Sequence, residues 1–244
     1  MEMKRELRVI VLAVMSSLVL AACATTNDPA AQAANDPYES MNRETFRLNM
    51  KFDRHILGPA AEFYVKAVPE PARDGVHNFL TNLDLPVTFA NDLLQGELKR
   101  AGQTVGRFGI NSTLGLAGLF DPATKMGIPY HSEDFGQTLG VYGADEGPYL
   151  VLPLFGPDPP RDAVGQVADV FLDPFTYIAI REHFYWSAGR FALGMFDLRA
   201  RNIGTMEGIE RQSVDYYASV RSLYRQLRNN EIRNGKPSDD LPDF

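Results

Sequence analysis

The sequence predicts an all-α protein, on three observations. Apolar residues recur at three- and four-residue spacing through most of the chain, no long run alternates apolar with polar residues, and prolines divide the periodic stretches into helix-sized pieces. A first helix is expected from about Glu44 to Leu57, with Phe46, Met50 and Leu57 on one side. Pro69 and Pro71 open a second, whose stripe is Ala72, Val76, Phe79, Leu80 and Leu83, and Pro86 is expected to interrupt it. The clearest periodicity, Val87, Ala90, Leu94, Leu98, Ala101, Val105 and Phe108, reads as one helix. Its opposite face carries Asp92, Glu97, Lys99, Arg100 and Gln103. Gly102, Gly106 and Gly109 also lie at helical spacing. Either another backbone approaches them closely, or the helix ends near Gly102.

From Asn111 to Gly156 glycine and proline are frequent, and regular helix is not expected there. Gly136, Gly140, Gly143 and Gly147 punctuate the stretch bounded by Phe135 and Tyr149. The apolar run from Tyr149 to Phe155 is too short to span a bilayer and reads as a buried strand-like segment or an inserted loop. Pro159 and Pro160 then precede a helical stripe of Val164, Val167, Ala168 and Phe171. Residues 175–198 hold Phe175, Tyr177, Tyr185, Trp186, Phe191 and Phe196, with Arg181, Arg190 and Arg199 interleaved. Such a segment fits an interfacial membrane helix or a protein–protein surface. A last helix is expected from Asp215 to about Arg228, with Tyr217, Val220, Tyr224 and Leu227 on one face and Arg221, Arg225 and Arg228 on another.

The N-terminus carries a different signal. Lys4, Arg5 and Arg8 precede the apolar run Val9 to Leu20, which ends in Leu20-Ala21-Ala22-Cys23. That order is a secretory leader, and the cysteine makes it a bacterial lipoprotein leader, with diacylglycerol and an N-acyl chain expected on Cys23. Residues 1–22 are then the signal peptide, 23–34 a lipidated flexible tether, 35–230 the helical domain and 231–244 a polar, disordered tail. Ala24, where some lipoproteins carry aspartate, favours outer-membrane delivery.

Cleavage removes more basic than acidic side chains, so the net charge of −7 becomes more negative, and nucleic acid is not an expected partner. Chemistry is equally unsupported. The chain has no Gly-x-Ser-x-Gly elbow, its four histidines lack zinc spacing, and no nucleotide-binding glycine loop is present. His131-Ser132-Glu133-Asp134 gathers titratable groups but reads as a solvated loop. No cofactor and no metal site are expected, and the protein does not read as an enzyme.

Five segments, in order, resemble the VacJ/MlaA family of outer-membrane lipoproteins. They are Asn35 to Arg43 (NDPYESMNR); Val68 to Arg73 with Asn78-Phe79 and Asn82-Leu83; and Arg107-Phe108 through Asn111 and Gly115 to Asp121. The fourth is Glu133 to Gly140 with Tyr142-Gly143, Gly147 to Tyr149, Pro153, Gly156 and Arg161-Asp162, and the fifth is Asp215 to Tyr217 with Arg221 and Tyr224. The resemblance implies a disc-like array of amphipathic helices in the periplasmic leaflet of the outer membrane, with a glycine-rich hairpin beside a central amphipathic channel. It implies removal of mislocalised phospholipid from the outer leaflet, association with a trimeric porin, and delivery to a soluble periplasmic lipid carrier. By position, Phe135, Gly136, Gly140, Gly143, Gly147 and Tyr149 match the hairpin, while Asp162, Arg190 and Arg211 are candidate headgroup contacts in the channel. The alternatives are a structural lipoprotein that docks on porins without moving lipid, and a phospholipase with an unrecognised site.

Overall fold

The computed structural model describes residues 28–178 and 183–237, so the leader and Cys23 lie outside the described residues. The elements are α1 (Pro29–Ala33), α2 (Glu39–Phe52), a π-helical turn (Asp53–Leu57), α3 (Gly58–Ala67), α4 (Glu70–Leu94), α5 (Leu98–Thr113), α6 (Pro122–Lys125) and α7 (Phe135–Val141). A minimal antiparallel pair, β1 (Val151–Leu152) and β2 (Gly156–Pro157), follows. Then come α8 (Pro160–Leu172), α9 (Phe175–Ile178), α10 (His183–Arg201), α11 (Ile203–Gln212) and α12 (Tyr216–Ile232). The all-α expectation holds. Among the described residues no helix is long and apolar enough to cross a membrane.

Two units divide the chain. Of the described residues, the first comprises 28–51 and 146–160, the second 52–145 and 161–237. In the first, asparagine side chains substitute for a sheet partner. Asn42 donates to Asp36 Oδ1 (2.8 Å) and to Tyr149 O (2.9 Å), and accepts from Val151 N (3.0 Å). Two helical turns on, Asn49 donates to Leu152 O (2.9 Å) and accepts from Leu154 N (2.8 Å). Asn35 donates to Gly147 O at 2.8 Å. A carboxamide offers a donor and an acceptor in one plane, so it can bond an extended chain as a peptide group does. The run from Tyr149 is a buried strand at its start, since Tyr149 and Val151 are buried, and exposed at Leu154 and Phe155.

The second unit is built on α4 and α5, packed as a helical hairpin around Gly96, whose φ of 76° only glycine adopts without strain. Here the structure corrects the sequence twice. Pro86 does not interrupt α4, because it deletes one N–H while packing of the flanking turns keeps the helix intact. The long stripe from Val87 to Phe108 is not one helix; it breaks at residues 95–97, and its two halves fold back on each other. Further along, α7 forms inside a stretch where no helix was expected, because Asp134 caps it by accepting from Gln137 N at 2.9 Å. Residues 58–67 and 203–212 are also helices that periodicity did not reveal.

Helix α5 continues through its glycines to Thr113, so it does not end near Gly102. Among the described residues no backbone approaches that face either: a Cβ at Gly102 or Gly109 would meet nothing within 4 Å, and one at Gly106 only Ile128 Cδ1 at 3.8 Å. Close approach occurs elsewhere. A Cβ on Gly165 of α8 would lie 2.3 Å from the backbone nitrogen of Gly136 in α7, so these two helices touch main chain to main chain.

On α5 and α8 the larger apolar residues point outward. In α8 Val164, Val167 and Phe171 are exposed while Arg161, Asp162 and Gly165 are buried. In α5 Leu98 is 72% exposed, whereas Ala101, Thr104, Arg107 and Asn111 are buried. Asp92, assigned from the sequence to the solvent face, is 0% exposed. Phe63 and Tyr185 are 73% and 77% exposed. This is the reverse of a water-soluble helix packing.

Gly165→Val is expected to destabilise the fold by about 1–3 kcal/mol, or to block assembly, because its side chain has no room beside Gly136. Gly102→Ala, on an exposed helical position, should instead stabilise by up to about 1 kcal/mol. Thermal unfolding of both variants in detergent, followed by circular dichroism, checks the opposite signs.

Candidate functional site

The buried polar side chains of the second unit gather where α4, α5, α7, α8 and α12 meet. Arg228 of α12 lies at one end. It donates to Asp134 (Nη1–Oδ2 2.6 Å, Nη2–Oδ1 2.7 Å) and to Asp162 Oδ1 (2.9 Å). Asp162 also accepts from Arg161 (Nε–Oδ1 3.0 Å, Nη2–Oδ2 3.2 Å) and from the Tyr224 hydroxyl at 2.6 Å. Burial would raise both carboxyls, but the Arg228 contacts and the Gln137 amide hold Asp134 below its usual value, and Arg161, Arg228 and Tyr224 do the same for Asp162. Burial likewise disfavours the Arg228 cation, and the two carboxylates more than offset this.

Asp169 sits beside that cluster. It accepts from Phe135 N (3.1 Å to each oxygen) and from Asn91 Nδ2 (3.0 Å), and Asn91 Oδ1 in turn accepts from Thr138 Oγ1 at 2.8 Å. Among the described residues no cation pairs with it directly. Burial therefore pushes Asp169 up to about 6, against the two hydrogen bonds and with help from the charge of Asp134. At the other end, Asp92 accepts from Thr104 Oγ1 (2.6 Å) and lies 3.0 Å from His131 Nε2, while Arg100 pairs with Glu133 and approaches Asp92 at 3.7 Å. Gln95 joins the ends, donating to Glu133 (2.8 Å) and to Thr138 (3.1 Å). Burial raises Glu133, with Gln95 and Arg100 offsetting part of it. The His131–Asp134 stretch is thus no solvated loop. It is drawn inward because Asp92 and Arg100 supply partners.

A second knot ends α5. Asp121 accepts from Arg107 Nη2 (2.7 Å), Asn111 Nδ2 (2.9 Å), Thr124 Oγ1 (2.6 Å) and Thr124 N (3.1 Å). Burial alone would raise its pKa, yet these donors bring it down to about 2.

Of the candidates from the sequence, Asp162 falls within the main cluster. Arg190 lies in the same unit but is held by Asp173 (2.5 Å), Asp84 (2.5 Å) and Leu83 O (2.9 Å). Arg211 is exposed on α11 and approaches Glu207 at 3.9 Å. None of the bonds of Asp162 involves either arginine. Phe135, Gly136 and Gly140 lie on α7, and Gly143 (φ 86°) in the turn after it, whereas Gly147 and Tyr149 belong to the first unit. The sequence missed the centre of the cluster. Arg228 reads there as an ordinary C-terminal cation, and Gly165 carries no periodic signal. Asp134 was legible in principle, as a capping aspartate three residues before Gln137. Among the described residues no three His, Cys, Asp or Glu side chains are grouped to hold a metal ion. The arrangement offers fixed, mutually paired charges set in the interior of the second unit.

Comparison with known proteins bears directly on this arrangement. A family model described as MlaA lipoprotein matches residues 34–231. The chain is 35% identical to the intermembrane phospholipid transport system lipoprotein MlaA of Haemophilus influenzae, over 97% of this chain and 96% of that protein. It is 34% identical to the protein of the same name in Escherichia coli, over 94% and 90% of the two chains. A solved chain, described under the structural basis for maintenance of bacterial outer membrane lipid asymmetry, superposes with a TM-score of 0.74 at 34% identity. That likeness covers 81% of this chain and 98% of the other.

Asp169 keeps its proton to about pH 6 in the folded chain but only to about pH 4 when unfolded. The folded state therefore holds more protons in that window, and stability falls as pH rises through it. Asp134 and Asp162 act oppositely: their folded pKa is lowered, so they add stability above about pH 4 that is lost on further acidification. Asp169→Asn is expected to flatten the decline between about pH 4 and 6 and to raise stability at pH 7 by on the order of 1 kcal/mol, discounted for partial exposure. Unfolding midpoints across this range check it; a variant as pH-dependent as wild type would refute the assignment.

Proposed function

The chain belongs to the MlaA lipoprotein family, and we propose that it removes mislocalised phospholipid from the outer leaflet of the outer membrane. In this reading Cys23 carries the lipid anchor and the helical domain lies in the periplasmic leaflet. The phospholipid passes to a soluble periplasmic carrier, and a trimeric porin is the membrane partner.

One observation supports this reading above the others. Among the described residues no helix is long and apolar enough to cross a membrane, yet Val164, Val167, Phe171 and Leu98 face outward while Asp92, Glu133, Asp162 and Arg161 are buried. Apolar side chains on that surface are at home among acyl chains, while a charged headgroup needs partners before it leaves water. A charge at the bilayer centre costs at least about 2.5 kcal/mol, so a polar interior bordered by an apolar exterior lowers the barrier to drawing a lipid inward. The amphipathic channel implied by the family would run beside α7 and the turn that follows it.

Cells lacking the protein are expected to accumulate outer-leaflet phospholipid, with wild type restoring the normal content. No accumulation under any envelope stress would favour a lipoprotein that docks on porins without moving lipid. Cys23→Ser should fold normally yet separate from membranes on fractionation and fail to restore the phenotype. Full rescue by that variant would show that anchoring is dispensable.

A further inference from the structure

We infer that Arg228 is a positioning residue for lipid removal, acting through α7 rather than on the lipid; this rests on the function proposed above. Helix α7 has seven residues, too few to persist on its own. Helix α12 grips it at two matched points. A Cβ on Gly136 would lie 2.6 Å from Arg228 Nη2, and a Cβ on Gly140 would lie 2.7 Å from Ile232 Cδ1. Gly136 and Gly140 are one turn apart on α7, as Arg228 and Ile232 are on α12, so two side chains seat on two glycines in register.

The guanidinium also decides what α7 packs against. Its two nitrogens bridge Asp134, which caps α7, to Asp162 on α8, while Gly136 and Gly165 bring the two backbones together. Without that cation Asp162 keeps only Arg161 as an ion-pair partner, and the half-buried Asp134 faces it across a close helix contact with its own cation gone, so the two carboxylates would repel. Separation at Asp134 would also loosen the cap on Gln137 N. Arg228 is therefore the group that keeps α7 folded and seated against α8 and α12. Its fork geometry serves both carboxylates at once, which a lysine ammonium cannot reproduce.

The test uses the full-length lipoprotein. Arg228→Gln should speed amide hydrogen exchange at residues 137–141 by about tenfold or more while distant helices keep wild-type rates, with Arg228→Lys between the two. In cells at matched abundance, Arg228→Gln should leave phospholipid in the outer leaflet. A second variant adds Gly140→Cys and Ile232→Cys to Arg228→Gln. The Ile232 carbons lie 2.7–3.3 Å from the site of a Cβ at 140, close enough for a disulfide once that side chain is shortened. Oxidation should restore both slow exchange and lipid removal, and reduction should abolish both. Unchanged exchange in Arg228→Gln would overturn the inference. So would a bridge that restores exchange but not lipid removal, since Arg228 would then act on the lipid itself. If exchange follows the expected order but deleting the protein leaves outer-leaflet phospholipid unchanged, the anchoring of α7 stands and the proposed function falls.

Discussion

A carboxylate withdrawn from water must be met by a cation or by hydrogen-bond donors, and the second unit is organised by that requirement. Asp92, Asp134, Asp162 and Asp121 are each met by two or more donors drawn from other segments of the chain. Each such contact fixes the rotation of a helix. Once Arg107 and Asn111 turn inward to reach Asp121, Leu98 and Val105 on the same helix must turn outward. Once Arg161 and Asp162 turn inward, Val164 and Phe171 follow suit in the other direction. The apolar exterior is thus the geometric complement of a polar interior, and both are set by the same side chains.

This explains what could be read in the sequence and what could not. Helices are visible as period, and period does not depend on which side faces in. The stripe from Val87 to Phe108 marks helix on both sides of its break at residues 95–97, yet assigns Asp92 to the wrong face, because the usual assumption places apolar residues inside. Pro86 and Gly96 show a second limit. Proline is the stronger breaker by propensity, but tertiary packing carries α4 through it, whereas the chain turns at Gly96 through a positive φ. The candidate site was legible only in part. Asp162 stood out within a motif, but its partner Arg228 lies 66 residues away on another helix, and no local pattern announces such a pair.

The short motifs acquire a common meaning in the structure. Asn35, Asn42 and Asn49 use carboxamides to hold the chain from Gly147 to Leu154, where almost no sheet exists to do so. Asn111 and Asp121 perform the same service for the turn after α5, where Gly118 passes so close to Asn82 that any side chain would collide. In both places irregular backbone is stabilised by polar side chains rather than by neighbouring strands. If these segments lie in the leaflet as proposed above, the need is greater than in water, because an unmet peptide group has no solvent to turn to.

Stability alone does not account for the polar cluster. Buried ion pairs replaced by well-packed apolar groups are often neutral or stabilising, since the desolvation of two ions offsets most of their attraction. Asp169 makes the point most directly: among the described residues no cation pairs with it, its carboxyl is pushed up to about 6 by burial, and in the charged form it costs stability at neutral pH. A fold selected only to be stable would carry asparagine there, which still accepts from Phe135 N without the charge. Under the function proposed above, the polar side chains of the cluster would serve a headgroup, which needs both signs of charge already oriented. The same side chains also hold α7 in place through Asp134 and the amide of Phe135. In the function proposed above, a headgroup reaching this cluster would meet the same carboxylates that seat α7, so a change in their pairing would reach that helix.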